Sequence, residues 1–301
     1  VNIGLLFRPP ARPPRPPETL PIGRAALALA DRGVGVVFGG EAEHGRIVGL
    51  RARPGGWDPV CMRVHAALDR YGSFTHPTAY HRLLAGLGTT PVHNPPALTA
   101  LLRDKVRTQV LLHDLGMPPL EVDPRRFARG FAKPRFGSFG RGVTLGTPGA
   151  RATVDGVDQP MIVQRAVPPP PPWTGVSLRI LVQRGPDGPI VRTPVARVSH
   201  TDVVVNRARG AEVFPADDIL PAAAASAREL ANTVFARVQQ RFPGTVELGV
   251  DAVVDPDQRP VLIEVNARPR GRLAALAAQD PDRFTDEHRA AVLAPLEAVA
   301  R

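Results

Sequence analysis

Apolar positions at the start of the chain fall into two compact runs separated by a periodic stripe. Val1-Asn2-Ile3-Gly4-Leu5-Leu6-Phe7 reads as a first buried strand, and Thr19 to Ala30 repeats its apolar residues at helical intervals. Gly33-Val34-Gly35-Val36-Val37-Phe38 reads as a second strand. Strand, helix, strand in that order predicts a small α/β unit. The Gly33-x-Gly35 pair follows the helix, whereas a dinucleotide-binding fingerprint precedes one, so that ligand is excluded here. Pro9 to Pro17 predicts an extended polyproline II segment. From Trp57 to Gly88 helical and loop signals alternate, and Thr90-Pro91-Val92-His93-Asn94 predicts a closing strand.

Asn94-Pro95-Pro96 marks a boundary, with Asn94 placed to cap a helix and proline tolerated in its first turn. Leu98, Leu101, Leu102, Val106, Val110 and Leu111 follow at helical spacing, Asp104 can cap a second helix, and Gly116 with Pro118 ends it. Strand signals then take over: Phe131 to Arg135, Met161 to Gln164, and Ser177 to Gln183 with Ile190 to Val198 around the turn Gly185-Pro186-Asp187-Gly188. Pro168 to Pro172 predicts a stiff connector. An alanine-rich helix is expected from Pro221 to about Gln240, and a last hairpin from Glu247–Val254 and Val261–Ala267. No internal repeat is present.

Composition sets outer limits. With 301 residues and 43% hydrophobic content the chain suits about two domains. No apolar run approaches the roughly 18 residues of a membrane span, and the first residues are too short and uncharged for a secretory signal. The single Cys61 excludes an internal disulfide framework and suits a reducing, cytoplasmic setting. Cys61 and His65 stand at helical spacing without a second pair to complete a zinc site, which favours a structural role. The net charge of +10 comes with an excess of Ala, Arg, Pro and Gly that looks like coding bias. Only 5% of residues are aromatic, so stacking on nucleic-acid bases is not expected.

Lysine changes the picture. It occurs only at Lys105 and Lys133, against 36 arginines. An ammonium is a compact point charge on a flexible stem, suited to a single phosphate oxygen in a tight pocket, where a planar guanidinium does not substitute. Lys133 opens Lys133-Pro134-Arg135-Phe136-Gly137-Ser138-Phe139-Gly140-Arg141-Gly142, a strand end running into a glycine loop whose amides could fold over an anion, with Arg135 and Arg141 adding charge. Pro134 keeps Lys133 extended. The loop is neither a Walker A motif nor a hydrolase elbow, since no Gly-Lys-Ser/Thr occurs and Phe136 stands where the elbow's first glycine should be.

The last hairpin supplies the opposite charge. With its loop centred between Asp257 and Gln258, Asp251 lies opposite Glu264, and Asn266 projects on the same face. Facing carboxylates repel unless a cation sits between them. Asp, Glu and Asn oxygens are the hard ligands Mg²⁺ prefers, usually shared with substrate phosphates. The alternative is a bridging arginine, for which Arg268 is at hand. Arg179, Arg197, Asn206 and Arg209 form a third group. The two strand arginines interrupt apolar runs, where an unpaired charge is costly, so they call for a phosphate, a carboxylate or structural ion pairs.

In this order the elements resemble the ATP-grasp superfamily, closest to the branch of α-L-glutamate ligases and glutathione synthetases. The resemblance spans about Asn94 to Gly271. It is carried by Asp104-Lys105, Lys133-Pro134 with the glycine loop, Ile162-Val163-Gln164, Leu178 to Val182, Ala196-Arg197, Asn206 to Gly210, Gly249-Val250-Asp251 and Ile263-Glu264-Val265-Asn266-x-x-Pro269. It implies a mixed α/β ATP-grasp fold over residues 95–301, with 118–166 as a lid-like part, behind a Rossmann-like domain at 1–94. It further implies that Lys105 and Lys133 hold ATP phosphates under a loop containing Gly137, Ser138, Gly140 and Gly142. Gln164, Arg165 and Val167 would line the adenine slot, with Asn206 near the nucleotide. Asp251, Glu264 and Asn266 would bind Mg²⁺ or Mn²⁺, and Arg179, Arg197 and Arg209 would contact phosphate and the activated carboxylate. The acid expected after the adenine strand is replaced by Arg165 and prolines, and Ser177 stands where an acid commonly precedes the strand arginine. The expected activity is ligation of a carboxylate to an amine through an acyl phosphate, releasing ADP and phosphate. A kinase on the same fold and a nucleotide-binding regulatory module are the alternatives. Substrates would be small molecules or peptides, an acidic peptide among them, and a homo-oligomer is implied; neither nucleic acid nor a membrane is an expected partner.

Overall fold

Strand β1 (Asn2–Leu6) is buried on both faces, as a central parallel strand in a helix-covered sheet must be. It pairs in parallel with β2 (Gly35–Glu43) and β5 (Ala66–Asp69). The computed structural model to which it belongs describes residues 1–7, 15–71, 77–117, 130–136, 142–146, 151–154, 157–205, 210–269 and 273–301. Helix α1 (Pro21–Ala30) follows β1, the antiparallel strands β3 (Arg46–Arg53) and β4 (Gly56–Arg63) extend the β2 edge, and α2 (Pro77–Leu87) leads to β6 (Val92–His93). The sheet order is β4-β3-β2-β1-β5-β6. Ile3, Leu5 and Leu68 face α1 and the C-terminal helix, while Leu6, Val37 and Ala67 face α2.

The stretch from Trp57 to Gly88 departs from expectation, since two strands precede its helix. β4 is an edge strand whose residues are half-buried or exposed, so it carries no apolar run to announce it. Cys61 lies exposed on that strand and not on a helix.

A second layer begins with α3 (Pro96–Arg103) and α4 (Lys105–Asp114). Asp104 caps α4 as expected, accepting from the backbone N–H groups of Val106 and Arg107. Asn94 is no cap: Pro95 holds that position. Asn94 is fully buried in a left-handed turn (φ 49°). Strands β7 (Gly130–Pro134), β8 (Thr144–Leu145), β9 (Arg151–Val154) and β10 (Val157–Arg165) make a four-stranded sheet ordered β8-β7-β10-β9.

The third sheet contains β11 (Gly175–Arg184), β12 (Pro189–Val191), β13 (Val195–Ser199), β14 (Glu212–Pro215), β15 (Glu247–Val254) and β16 (Pro260–Asn266). Its order is β14-β13-β11-β15-β16, with β12 paired to β11. The single strand expected over Ile190–Val198 is broken, because Pro194 cannot donate to the ladder and Thr193 instead bonds Glu287 through its N–H and its hydroxyl at 2.7 Å each. After the short α5 (Ala216–Ile219), α6 (Pro221–Arg241) lays Ala223, Ala227, Ala231, Val234 and Val238 on the sheet at helical intervals. α7 (Leu273–Gln279) and α8 (Pro281–Ala300) cover the opposite face, and α8 reaches back to the first sheet. Among the described residues no helix is long and apolar enough to cross a membrane.

Candidate active site

The acid hairpin gets its geometry from one extra residue. Near the turn Val254 pairs with Pro260 and Ala252 with Leu262, so the loop is centred on Asp257. Continued unbroken, that register would set Ile263 opposite Asp251. A bulge at Ile263 shifts the ladder, and Glu264 takes the place. The sequence-based pairing was therefore right at the acids and wrong at the turn. Residues opposite one another share a face, so Arg179, Asp251 and Glu264 form one row across the sheet and Leu181, Gly249 and Asn266 the next.

Asp251 is 3% exposed and fully engaged. Arg179 donates to it from Nε at 2.5 Å and Nη2 at 2.6 Å, Arg197 from Nη2 at 3.3 Å, and Asn266 from Nδ2 at 2.8 Å. Burial pushes the Asp251 carboxyl up, against the pull of both guanidinium groups. Burial alone would lower the Arg179 pKa, but Asp251 and Glu264 outweigh it and raise it. Where a bridging Arg268 was the alternative to a metal, Asp251 is gripped by Arg179 and Arg197.

Glu264 faces a different kind of cation. Burial would raise its pKa, yet Lys105, Lys133, Arg179 and a hydrogen bond from Asn266 bring it down to about 2. Lys133 leaves β7 toward this point and donates to Oε1 of Gln164 on β10. Burial lowers its pKa to about 8, with Glu264 opposing the fall. Lys105, the first residue of α4, is likewise lowered by burial and held up by Glu264. Both lysines, Gln164, Ile263 and Glu264 line a cavity of only about 10 Å³ between the four-stranded sheet and β16.

Two supports were not foreseen. Arg135, expected to add charge to the glycine loop, instead grips Asp104 from Nε at 2.7 Å and Nη2 at 2.6 Å. The Lys105 N–H also donates to the Arg135 carbonyl at 3.2 Å. One clip therefore joins the two lysine-bearing segments. Asn94 accepts from the Val246 N–H at 2.8 Å and the Glu247 N–H at 3.3 Å, and donates to the carbonyls of Glu247 and Ala267. It clasps both strands of the acid hairpin at their open end.

Gln164 is buried and spends its side chain on Lys133 and, at 3.5 Å, the Ile263 carbonyl. Arg165 is exposed and Val167 half-buried beyond the end of β10, and Gly142 is exposed with φ 67°. Gly137, Ser138, Gly140, Arg141, Asn206 and Arg209 lie outside the described residues. Among the described residues no group of three or more His, Cys, Asp or Glu side chains could hold a metal; the hairpin offers two carboxylates and one amide.

A grasp of one cleft between two sheets, with lysines on one side and acids on the other, defines a fold known from other proteins. Residues 157–290 match the family described as YheC/D like ATP-grasp. The chain aligns with the crystal structure of D-cycloserine synthetase DcsG at a TM-score of 0.61 and 13% identity, covering 99% of this chain and 100% of that one. VanG D-Ala:D-Ser ligase from Enterococcus faecalis gives 0.59 and 13%, covering 98% of each chain. A RimK domain protein ATP-grasp from Sphaerobacter thermophilus gives 0.54 and 20%, covering all of both. Curated proteins provide no match. The chain has the ATP-grasp fold, and its residues 157–290 are similar to that family.

Proposed function

We propose that this protein is an ADP-forming ligase that joins a carboxylate to an amine through an acyl phosphate. The observation that carries the reading is the convergence of both lysines on Glu264, directly across from Asp251. Phosphoryl transfer needs little covalent help from a protein; it needs charge neutralisation and alignment. Lys105 and Lys133 exchange Glu264 for phosphate oxygens when a triphosphate enters. About 10 Å³ of space does not admit one, so the four-stranded sheet moves off β16 as it binds. Arg179 uses Nε and Nη2 on Asp251, leaving Nη1 to hold the substrate carboxylate. Residues 1–94 then act as the preceding domain, 95–301 as the grasp, and 118–166 as its lid.

The donor set fits a hard divalent ion. Glu264 stays ionised, its pKa at about 2, and Asp251 and Asn266 stand beside it. These three would hold Mg²⁺ or Mn²⁺, which when bound would neutralise phosphate charge. Two structural neighbours are named as a synthetase and a ligase, which favours ligation over simple phosphorylation. The net charge of +10 suits anionic substrates such as an acidic peptide. The test is to screen carboxylate and amine pairs for stimulated ADP release, with hydroxylamine added. Ligation through an acyl phosphate yields a hydroxamate; ADP release without one marks a kinase, and no stimulation by any pair marks a binding module.

A further inference from the structure

A lysine sets no geometry of its own. Its ammonium rides on a flexible stem, so the gap between two such tips depends on how firmly their backbones are held. Lys105 begins α4 and Lys133 lies on β7, in separate parts of the fold. Between them Arg103, Asp104 and Lys105 each touch residue 135 or 136. Arg103 and Arg135 both stack on the Phe136 ring, with Cζ 5.8 and 5.3 Å from its centroid. The Arg135 fork holds Asp104 from two nitrogens, and the Lys105 N–H donates to the Arg135 carbonyl.

The bracket is stiff. Pro134 fixes its own φ and keeps Lys133 extended. The Arg135 N–H donates to the Pro160 carbonyl at 3.0 Å and the Phe136 N–H to Oε1 of Gln159 at 3.2 Å, so the bonding between β7 and β10 runs on past Lys133. Two residues apart on an extended backbone, Lys133 and Arg135 project to one side, their Cα atoms about 6.6 Å apart. Asp104 and Lys105 are neighbours, about 3.8 Å between Cα atoms. Fork and carboxylate thus join two short arms of chain, each ending in a lysine.

Burial raises the Asp104 pKa, yet Arg135 and the first amides of α4 outweigh it and lower it, so the carboxylate keeps its charge. The Arg135 side chain is 32% exposed, and a partly exposed ion pair adds little to stability. Asp104 would cap α4 without it. What the fork adds is a fixed distance and angle.

We propose that Arg135 is a positioning residue: clipped to Asp104, it fixes the separation of Lys105 and Lys133 so that both ammonium groups meet one bound triphosphate, a ligand that rests on the ligase reading. When the four-stranded sheet leaves β16, the contacts given up are those of Lys133 with Glu264 and of Gln164 with the Ile263 carbonyl. The clip lies on α4 and stays closed. Arg135 acts on the phosphates through the lysines and not by touching them.

The test is calorimetry of the full chain with a non-hydrolysable ATP analogue and Mg²⁺. Arg135→Met should weaken the analogue about tenfold while the thermal midpoint holds. Asp104→Asn, which keeps a good cap but loses the charge, should weaken it by a similar factor. The double variant should stay near about tenfold and not fall about a hundredfold, because both changes open one clip. Arg135→Lys, a point charge that cannot fork, should recover only part. In a Lys133→Ala background, where no spacing remains to be set, Arg135→Met should cost nothing further. Hydrogen exchange of the ligand-free protein should show the Lys105 amide opening faster in Arg135→Met. Unaltered analogue affinity or unaltered Lys105 exchange in Arg135→Met, or losses that add in the double variant or over Lys133→Ala, overturns the proposal. Absence of analogue binding by the unmutated protein overturns the ligase reading, and the proposal with it.

Discussion

Asp251 and Glu264 face each other across one ladder, the first buried and the second half-buried, and are neutralised in opposite ways. Asp251 is gripped by guanidinium forks and an amide; Glu264 is met by two ammonium groups that are themselves desolvated. A bidentate fork fixes geometry, while an ammonium turns freely and can change partners. The Asp251 side is thus a permanent part of the fold, whereas the Glu264 side is free to exchange partners, which the proposed function has a phosphate do. This explains why a chain that uses arginine almost everywhere keeps lysine at these two positions.

The comparison is most sharply tested at Lys133. Lys133→Ala should lower ADP formation by at least about 10²-fold. Lys133→Arg should do nearly as much harm, because a fork would stay locked on Glu264; single-turnover ADP release measures both, and full activity in the arginine variant would break the distinction. On the other side, Asp251→Asn leaves Arg179 and Arg197 buried without their counter-charge. It should lower stability by about 3–5 kcal/mol in urea titrations, and Glu264→Gln should cost clearly less. Asn94→Ala, which strips partners from buried backbone groups on both hairpin strands, should cost about 1–3 kcal/mol.

The smallest effect is a shift in pH dependence. Lys133 titrates at about 8 in the folded protein, below its ordinary value, so protonation opposes folding. Its cost to stability is complete below about pH 8 and disappears as pH rises toward the unfolded pKa of about 10.4. Phosphate binding needs the ammonium, so kcat/KM should decline above about pH 8. In Glu264→Gln that alkaline limb should move to lower pH, because the carboxylate no longer holds the proton on. An unmoved limb would separate Lys133 from Glu264. The same variant should need more Mg²⁺ for half-maximal rate.

What could be read in advance follows from the range of the forces involved. The facing acids were read correctly because the bulge at Ile263 offset a turn placed half a residue off. The Asp104 cap was legible because its donors are two and three residues away. The Arg135–Asp104 clip joins residues 31 positions apart, and nothing local in the sequence announces it. Asn94 misled for the opposite reason: asparagine before proline is a strong local signal for a cap, and tertiary contacts 152 and 173 residues away took its side chain instead. β4 was missed because an exposed edge has no need of apolar periodicity. The roles expected of Gly137, Ser138, Gly140, Asn206 and Arg209 fall outside the described residues, so for them the family resemblance stands alone.

The Asn94 clasp also bears on how the molecule can be divided. Because one amide from the end of the first sheet closes both strands of the hairpin, the grasping half is not a portable module. Expressed from residue 95 onward, it would begin with its acid-bearing ribbon unfastened at the base.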